Sequence, residues 1–363
     1  MIHGHGGNIR EAAAALGCAP EEIVDMSSNI NPLGPMPGLL DHLSGKIASV
    51  CSLPDVSAAG AAAAYAEWQG LAPDRVLAGA GTTAFLYQIP QALGFSSALV
   101  VGPTYADYAD ALTLHGVCCQ HFLLAGREGF VPDMEALAAA AKAVDAVFFC
   151  NPNNPTGVCT PVGELEALAC RCPNTCFVID ESYLPFVEGL ADASIADKGL
   201  DNVVVLQSLS KMFSVPGLRI GFCVAGPAAA EKIARRLPPW GVNALAQEAV
   251  FYIAGAPEAA AAHAARTRTY LAAERGAFME AMQRCPDITV FPGEATFLLL
   301  RLYGMSASEL AARLLDRRLL VRNCANFVGL SEQFLRVSLK DGQSNRLAAG
   351  CILAHLSGSD AAG

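Results

Sequence analysis

Four short runs constrain the fold of this chain more than any other feature. Ala98-Leu-Val-Val101, Ala146-Val-Phe-Phe149, Phe177-Val-Ile179 and Val203-Val-Val-Leu206 are apolar at every position, and each is followed by polar or turn residues. A strand with one wet face alternates apolar and polar residues. A strand that is apolar on both faces has to be covered on both sides, the condition of a parallel sheet between two layers of helices. Alanine-rich helical stretches separate the runs between about residues 60 and 225, which supplies the β–α alternation. In such sheets ligand chemistry gathers at the carboxyl ends of the strands, so the residues just after each run are the first candidates for function.

The 363 residues allow roughly two domains. After Pro238-Pro239 the pattern changes to one long helical stretch from Ala244 to about Met282. The segments Thr289–Phe291, Thr296–Leu300, Leu319–Arg322 and Phe334–Leu339 follow, separated by helix and turn, as in a smaller α+β lobe. The expected division is an N-terminal arm over 1–37 packing on the small lobe, a large domain over 38–237 and a small C-terminal domain over 238–363. No stretch reaches the roughly 18 apolar residues of a membrane span. The first residues, Met1-Ile-His-Gly-His5-Gly-Gly, have neither the basic start nor the apolar core of a signal peptide. Twenty-four basic against 34 acidic residues leave a net charge of −10, which opposes a nucleic-acid or anionic-membrane partner. A few convergent arginines still suffice for an anionic small substrate. Thirteen cysteines without an export signal read as free thiols in a reducing cytoplasm. Cys170, Cys172 and Cys176 have no histidine beside them and lack the paired-knuckle spacing of a zinc site, so buried thiols are expected there and no metal.

The strand ends carry an ordered set of polar residues. Asn151-Pro-Asn-Asn154-Pro-Thr-Gly157 follows the second run, Asp180-Glu-Ser-Tyr183 the third, and Gln207-Ser208-Leu-Ser210-Lys211 the fourth, with Arg219 eight residues past the lysine. Ahead of them, Ala78-Gly-Ala-Gly81-Thr82-Thr83 joins a short strand to a helix. Singly, a lysine after a strand is a surface residue and an aspartate there is a helix cap. In this order the set resembles the aminotransferase-type (fold type I) pyridoxal-phosphate enzymes. The resemblance implies an α/β fold, with a mostly parallel sheet in the large domain, and pyridoxal 5′-phosphate (PLP) as cofactor. It makes Lys211 the residue that holds the cofactor aldehyde as an imine, a role suited to a lysine whose pKa its surroundings lower. Asp180 would face the ring nitrogen and keep it protonated. Asn154 and Tyr183 would hydrogen-bond the ring oxygen, and Tyr105 would stack on the ring. Gly81, Thr82 and Thr83 would offer backbone N–H groups to the cofactor phosphate, with Ser208, Ser210 and Arg219 completing the cradle.

This fold hosts decarboxylation and transamination alike, so the substrate anchors decide. Arg336, in Phe334-Leu-Arg-Val337, stands where the fold keeps its carboxylate-binding arginine, and Arg322 lies on the neighbouring segment. Two arginines aimed at one pocket suit a substrate with two anionic groups, a phosphorylated amino acid. The segments His5-Gly-Gly-Asn8, Ser27-Ser-Asn29-Ile-Asn31-Pro-Leu-Gly34, Pro238–Ala246 and Arg322-Asn-Cys324-Ala-Asn326 resemble the threonine-phosphate decarboxylases of the cobalamin pathway, relatives of histidinol-phosphate aminotransferase. That resemblance implies conversion of L-threonine O-3-phosphate to (R)-1-amino-2-propanol O-2-phosphate by a homodimer whose active site lies at the subunit interface. His5, Gly6 and Asn8 would then bind the substrate phosphate, and Asn31 and Gly34 would approach the substrate. The chain departs from the family at Leu53, where a tyrosine is usual, at Ala80 and its neighbours, at Gln207 in place of an arginine, and at Thr296. Such departures could mark a preference for serine phosphate. The competing readings are a histidinol-phosphate-type aminotransferase, which needs a 2-oxo acid as second substrate, and a PLP-responsive transcription regulator. The regulator reading lacks room for a DNA-binding domain ahead of the cofactor domain.

Overall fold

A computed structural model describes residues 6–189 and 194–356. The four apolar runs form the middle of a seven-stranded sheet. In chain order its strands are β2 (Val76–Gly79), β3 (Ser97–Gly102), β4 (Cys118–Leu123), β5 (Ala146–Cys150), β6 (Cys176–Asp180), β7 (Val203–Gln207) and β8 (Gly221–Val224), the short β1 (Val24–Asp25) lying elsewhere. The spatial order is β2-β8-β7-β6-β5-β3-β4, parallel except for β8, which runs antiparallel to both β2 and β7. Side chains alternate between two separate cores. Val147, Phe149, Phe177, Ile179, Val203 and Val205 face one layer of helices, while Phe148, Val178, Val204 and Leu206 face the other. Both faces are therefore dry, which explains strands with no polar alternation. Edge strand β4 is largely exposed and mixed in composition, which hides it from a search for apolar runs.

Register sets the site. Cys150 pairs with Asp180, and Asp180 with Leu206, so β5, β6 and β7 end side by side and deliver Asn151–Gly157, Asp180–Tyr183 and Ser208–Lys211 to one rim.

The C-terminal part builds a four-stranded antiparallel sheet from β9 (Ile288–Phe291), β10 (Phe297–Leu302), β12 (Arg322–Asn323) and β13 (Phe334–Ser338), in the order β12-β13-β10-β9. The segment expected as one strand over Leu319–Arg322 divides. Its first half, β11 (Leu319–Leu320), pairs in parallel with β1, and its second half crosses to β13. The single helical stretch expected from Ala244 to Met282 is two helices, Ala244–Ala254 and Pro257–Met282. Gly255 and Ala256 interrupt it, and Pro257 opens the second helix where its missing N–H costs nothing. No described helix is long and apolar enough to cross a membrane.

One contact joins the two sheets' loops. Gly157, with φ +74°, lies against Gly293 so closely that a Cβ on it would meet the Gly293 Cα at 2.7 Å, and its carbonyl accepts the Glu294 N–H at 2.8 Å.

Candidate active site

A cavity of about 250 Å3 opens at the carboxyl ends of β5, β6 and β7. It gathers Gly6, Gly81, Thr82, Thr83, Tyr105, Asn154, Asp180, Tyr183, Ser208, Ser210, Lys211, Arg219, Arg322 and Arg336, residues taken from eight separate stretches of chain. Among its lining residues four carry a cationic side chain and one, Asp180, a carboxylate.

Lys211 stands in the four-residue helix Leu209–Met212, which Ser208 caps by accepting the Ser210 N–H at 3.2 Å. Among the described residues its Nζ has no hydrogen-bond or ion-pair partner, so it is free to react. Burial, then the nearby Arg336 and Arg219, bring the ammonium down to about 8, against the pull of Asp180. Asp180 is fixed from two sides. Its Oδ2 accepts the Tyr108 hydroxyl at 2.9 Å and its Oδ1 the Ser182 N–H at 2.9 Å. Tyr105 meets Tyr108 edge to face at 5.7 Å and donates its own hydroxyl to Asp107 at 2.6 Å. The Tyr183 oxygen accepts Nδ2–H of Asn29 at 3.0 Å, and burial raises that phenol to about 12 although Arg336 favours its ionisation.

Arg336 is 5% exposed. One terminal nitrogen donates to Asn154 Oδ1, the other to the Ser27 carbonyl at 2.6 Å, and the guanidinium lies 5.1 Å from the Phe297 ring centroid. Its Nε has no partner, and among the described residues no carboxylate lies within ion-pair distance. A buried guanidinium with no counter-charge is costly unless an anion joins it, so this position is suited to one. The more exposed Arg322 donates to Asn326 Oδ1 at 2.7 Å and lies over Phe327 at 5.3 Å.

A second cationic corner forms where Gly81, with φ +80°, opens the helix Thr82–Leu86. A Cβ on Gly81 would stand 2.6 Å from Arg219 Nη2, and one on Gly221 2.6 Å from the Thr82 nitrogen. Only glycine at both positions lets the guanidinium and the Thr82 N–H share this corner. The Ser208 hydroxyl accepts the Ser210 N–H and donates to no described residue. The Ser210 hydroxyl donates to the Ile220 carbonyl at 3.1 Å.

The residues fit PLP: a free lysine in the middle, a fixed carboxylate for the ring nitrogen on β6, two ring-oxygen partners, and a cationic corner that added Cβ atoms would fill. Three of the expected substrate contacts stand off the cavity. Asn31 is buried behind Lys211, with its amide bonded to Met212, Thr267 and Leu33. Gly34 serves a turn at φ +76°, donating to the Asn31 carbonyl, so its lack of a side chain meets a backbone need and not a substrate one. Asn8 precedes the helix Ile9–Leu16 and borders a separate surface groove. His5 lies outside the described residues. Ser27, Asn29, Ser182 and Asn326 stand within the motif segments but have no role there that the sequence alone assigns, and Tyr108 stands outside them. The available signal for Tyr108 was its place three residues after Tyr105, one helical turn on. Of the clustered thiols, Cys172 is buried and donates to Ala138 O at 3.5 Å, while Cys170 is exposed. Among the described residues no group of three or more His, Cys, Asp or Glu is arranged to hold a metal.

The family model for aminotransferase class I and II matches residues 21–351. The chain is 35% identical over 352 residues to a threonine-phosphate decarboxylase of Salmonella typhimurium, covering 95% of this chain and 94% of that protein. It is similar to the crystal structure of an L-threonine-O-3-phosphate decarboxylase from Porphyromonas gingivalis, with TM-score 0.82, 29% identity, and 92% and 99% of the two chains covered. The structure of a histidinol-phosphate aminotransferase from Clostridium acetobutylicum matches as well, with TM-score 0.84, 25% identity and the same coverage. Matched over nine-tenths of its length by the family model, and carrying the family's ordered strand-end residues around one cavity, the chain belongs to the class I and II aminotransferase family.

Proposed function

We propose that this protein is a PLP-dependent decarboxylase that converts L-threonine O-3-phosphate to (R)-1-amino-2-propanol O-2-phosphate and CO2 in cobalamin biosynthesis. The observation that carries the reading is the charge of the cavity. Lys211, Arg219, Arg322 and Arg336 converge there against the single carboxylate of Asp180. That balance suits three anions together: a cofactor phosphate, a substrate carboxylate and a substrate phosphate.

When bound, PLP supplies an electron sink for the pair released at the substrate Cα. Lys211 Nζ would hold the cofactor, and as a buried amine at the centre of the cavity it would be placed to carry a proton to Cα. Asp180, held by Tyr108 and Ser182, would keep the ring nitrogen protonated. Asn154 and Tyr183 would hydrogen-bond the ring oxygen, and Tyr105 would cover the ring. Thr82 and Thr83 N–H groups, the Ser208 hydroxyl and Arg219 take the cofactor phosphate. Gly81 leaves them room, and Ser210 braces the turn through Ile220. Arg336 takes the substrate carboxylate and Arg322 the substrate phosphate, with Gly6 bordering the same space. His5, which lies outside the described residues, belongs to the same proposal as a ligand of that phosphate, whereas Asn8 borders another groove.

The division into an arm (1–37), a large domain (38–237) and a small domain (238–363) belongs to the same proposal, as do a homodimer and a cytoplasmic location. All thirteen cysteines are unpaired, in keeping with a reducing compartment. A histidinol-phosphate-type aminotransferase is the second reading, favoured by a fold match as close to that enzyme as to the decarboxylase.

The test is to supply PLP-loaded protein with L-threonine phosphate, without any 2-oxo acid, and to follow CO2 and amine. Steady turnover with one CO2 per amine is expected. L-serine phosphate in parallel sets the side-chain preference. Absence of CO2, with the cofactor passing to its amine form when histidinol phosphate is added, would overturn the decarboxylase in favour of the aminotransferase.

A further inference from the structure

Lys211 sits on a helix of four residues, too short to hold itself. The turn ends at Ser214, whose φ of +51° is left-handed for a residue other than glycine. Its geometry is imposed from outside, and much of the imposing comes from one residue. The Asn31 N–H donates to the Lys211 carbonyl at 3.1 Å. Its side-chain Nδ2 donates to the Met212 carbonyl at 2.7 Å, and its own carbonyl accepts the Ser214 hydroxyl at 2.8 Å. Asn31 thus binds residues 211, 212 and 214 at once.

The asparagine is in turn held from behind by the long helix Pro257–Met282. Nδ2 lies 2.8 Å from Thr267 Oγ1, whose own proton goes to the His263 carbonyl at 2.9 Å, leaving the hydroxyl to accept from Asn31. Oδ1 accepts the Leu33 N–H at 2.9 Å, which fixes the orientation of the amide. His263 Nε2 is 3.1 Å from Nδ2, and its ring stacks on Phe213 of the same lysine turn at 5.9 Å and 19°. Asn31, His263 and Thr267 are 4%, 2% and 0% exposed. The two Nδ2 protons go to the Met212 carbonyl and Thr267, and no buried side-chain polar atom in this chain of contacts lacks a partner.

We infer that Asn31 is a positioning residue for the reaction: with Thr267 behind it, it clamps the Lys211 turn and sets where Nζ stands among the charges of the cavity. The inference rests on the reading of Lys211 as the residue that holds PLP. Asn31 does not line the cavity, so the role assigned to it here acts through the lysine turn and not through direct contact. The charged groups that face Nζ are Arg336, Arg219 and Lys340, which disfavour its protonation, and Asp180, which favours it. Release of the turn lets Nζ move away from the two arginines toward water, so its titration midpoint should rise toward that of an ordinary lysine.

The experiment uses Asn31→Asp, Asn31→Ala, Thr267→Val and Thr267→Ser. Asn31→Asp keeps the shape but turns an acceptor toward the Met212 carbonyl and Thr267, and Thr267→Val removes only the hydroxyl. Borohydride reduction of the PLP-loaded wild type and peptide mapping first locate the modified lysine. Steady-state kinetics follow, together with pH-dependent competitive acetylation of Lys211 in the cofactor-free chain, read by mass spectrometry. Both Asn31 variants should lose about tenfold to a hundredfold in kcat, with KM changed by less than about threefold, and their Lys211 midpoint should rise. Thr267→Val should move the same quantities less, and Thr267→Ser should restore them. If KM rises while kcat and the midpoint stay, Asn31 contacts substrate and the clamp is wrong. Unchanged kcat and midpoint in Thr267→Val and both Asn31 variants would overturn it equally. Reduction that labels a lysine other than 211 would instead overturn the cofactor assignment, and the acetylation midpoint would still report whether the clamp exists.

Discussion

Asp180 and Glu181 are neighbours with the same chemistry and opposite fates, because successive residues at a strand end face opposite sides of the sheet. Asp180 meets the cavity. Glu181, 2% exposed, turns to the other side, where it accepts the Ser194 hydroxyl, the Ile195 N–H at 3.0 Å and the Gln207 amide at 3.0 Å. The Gln207 carbonyl takes the Tyr65 hydroxyl at 2.9 Å, so the network around the carboxyl carries no cation within it. Burial outweighs these hydrogen bonds and pushes the Glu181 carboxyl from 4.5 up to about 7. The departure at Gln207, where the family resemblance expects an arginine, therefore bears on the charge of Glu181 and leaves the cavity's own set intact. Between those two values the folded chain holds a proton that the unfolded chain has released, so stability should fall as pH rises from about 4.5 to about 7. The full effect is bounded by about 3 kcal/mol. Glu181→Gln should flatten that part of the unfolding free energy against pH. An equal slope in both proteins would show that another group carries it. Asp180 was legible in the sequence through the ordered strand-end set, and Glu181 was not. An Asp-Glu pair does not disclose which acid meets a partner such as Gln207, 26 residues away.

At the scale of elements, what the sequence made legible was whatever both faces of a strand reveal at once. The four all-apolar runs are β3, β5, β6 and β7, and their parallel register explains why three motifs far apart in sequence share one rim. Edge strand β4 lacks that signal because water covers much of it, and the division of Leu319–Arg322 depends on partners at Val24 and Arg336 that no local pattern names. The same limit hid the glycine pair that brings the loop after β5 to the loop before β10. Gly157 reads as the end of a proline-rich turn, yet its positive φ and the 2.7 Å at which a Cβ on it would meet the Gly293 Cα make it the point where the loop carrying Asn154 meets the strand pair carrying Arg336. Gly157→Ala should cost about 2 kcal/mol or more of stability, since the strained φ and the backbone contact both oppose a Cβ. It should also weaken PLP binding, because Asn154 hydrogen-bonds Arg336 from that loop. Gly163→Ala is the matched control: it lies inside the helix Val162–Arg171 with open space around it and should stabilise by about 0.5–1 kcal/mol. Equal effects of the two substitutions in chemical denaturation would show that the Gly157–Gly293 contact is not a joint.

For the whole molecule, the distribution of exposed apolar side chains matters more than the net charge. Leu40, Ile47, Val50, Leu53, Val56, Trp240 and Phe251 are each between 42% and 76% exposed. They are brought together by local structure. The Trp240 N–H donates to the Val56 carbonyl at 2.7 Å, Phe251 packs beneath Gly60, and the helix Ala244–Ala254 lies against the helices Leu39–Gly45 and Ala59–Gln69. An apolar cavity of about 610 Å3 lined by Val56, Ala59, Leu237, Pro238 and Val242 continues the same surface. So many exposed apolar side chains on neighbouring elements are rare on a lone chain and common where a second copy covers them. This face is where the proposed homodimer would close, and the chain should then sediment at twice 37.8 kDa. A carboxylate at the centre of the face, Val50→Asp or Leu53→Asp, would be left buried without a partner in the dimer and should shift the equilibrium toward the single chain. Leu114→Asp supplies the comparison. Leu114 is 67% exposed but ends the helix Asp107–Leu114, away from the segments that build this face, so its substitution should leave the mass unchanged. If all three variants dissociate alike, net charge and not this face governs association. If the unmodified chain sediments singly at micromolar concentration, the apolar face has another occupant and the homodimer is wrong.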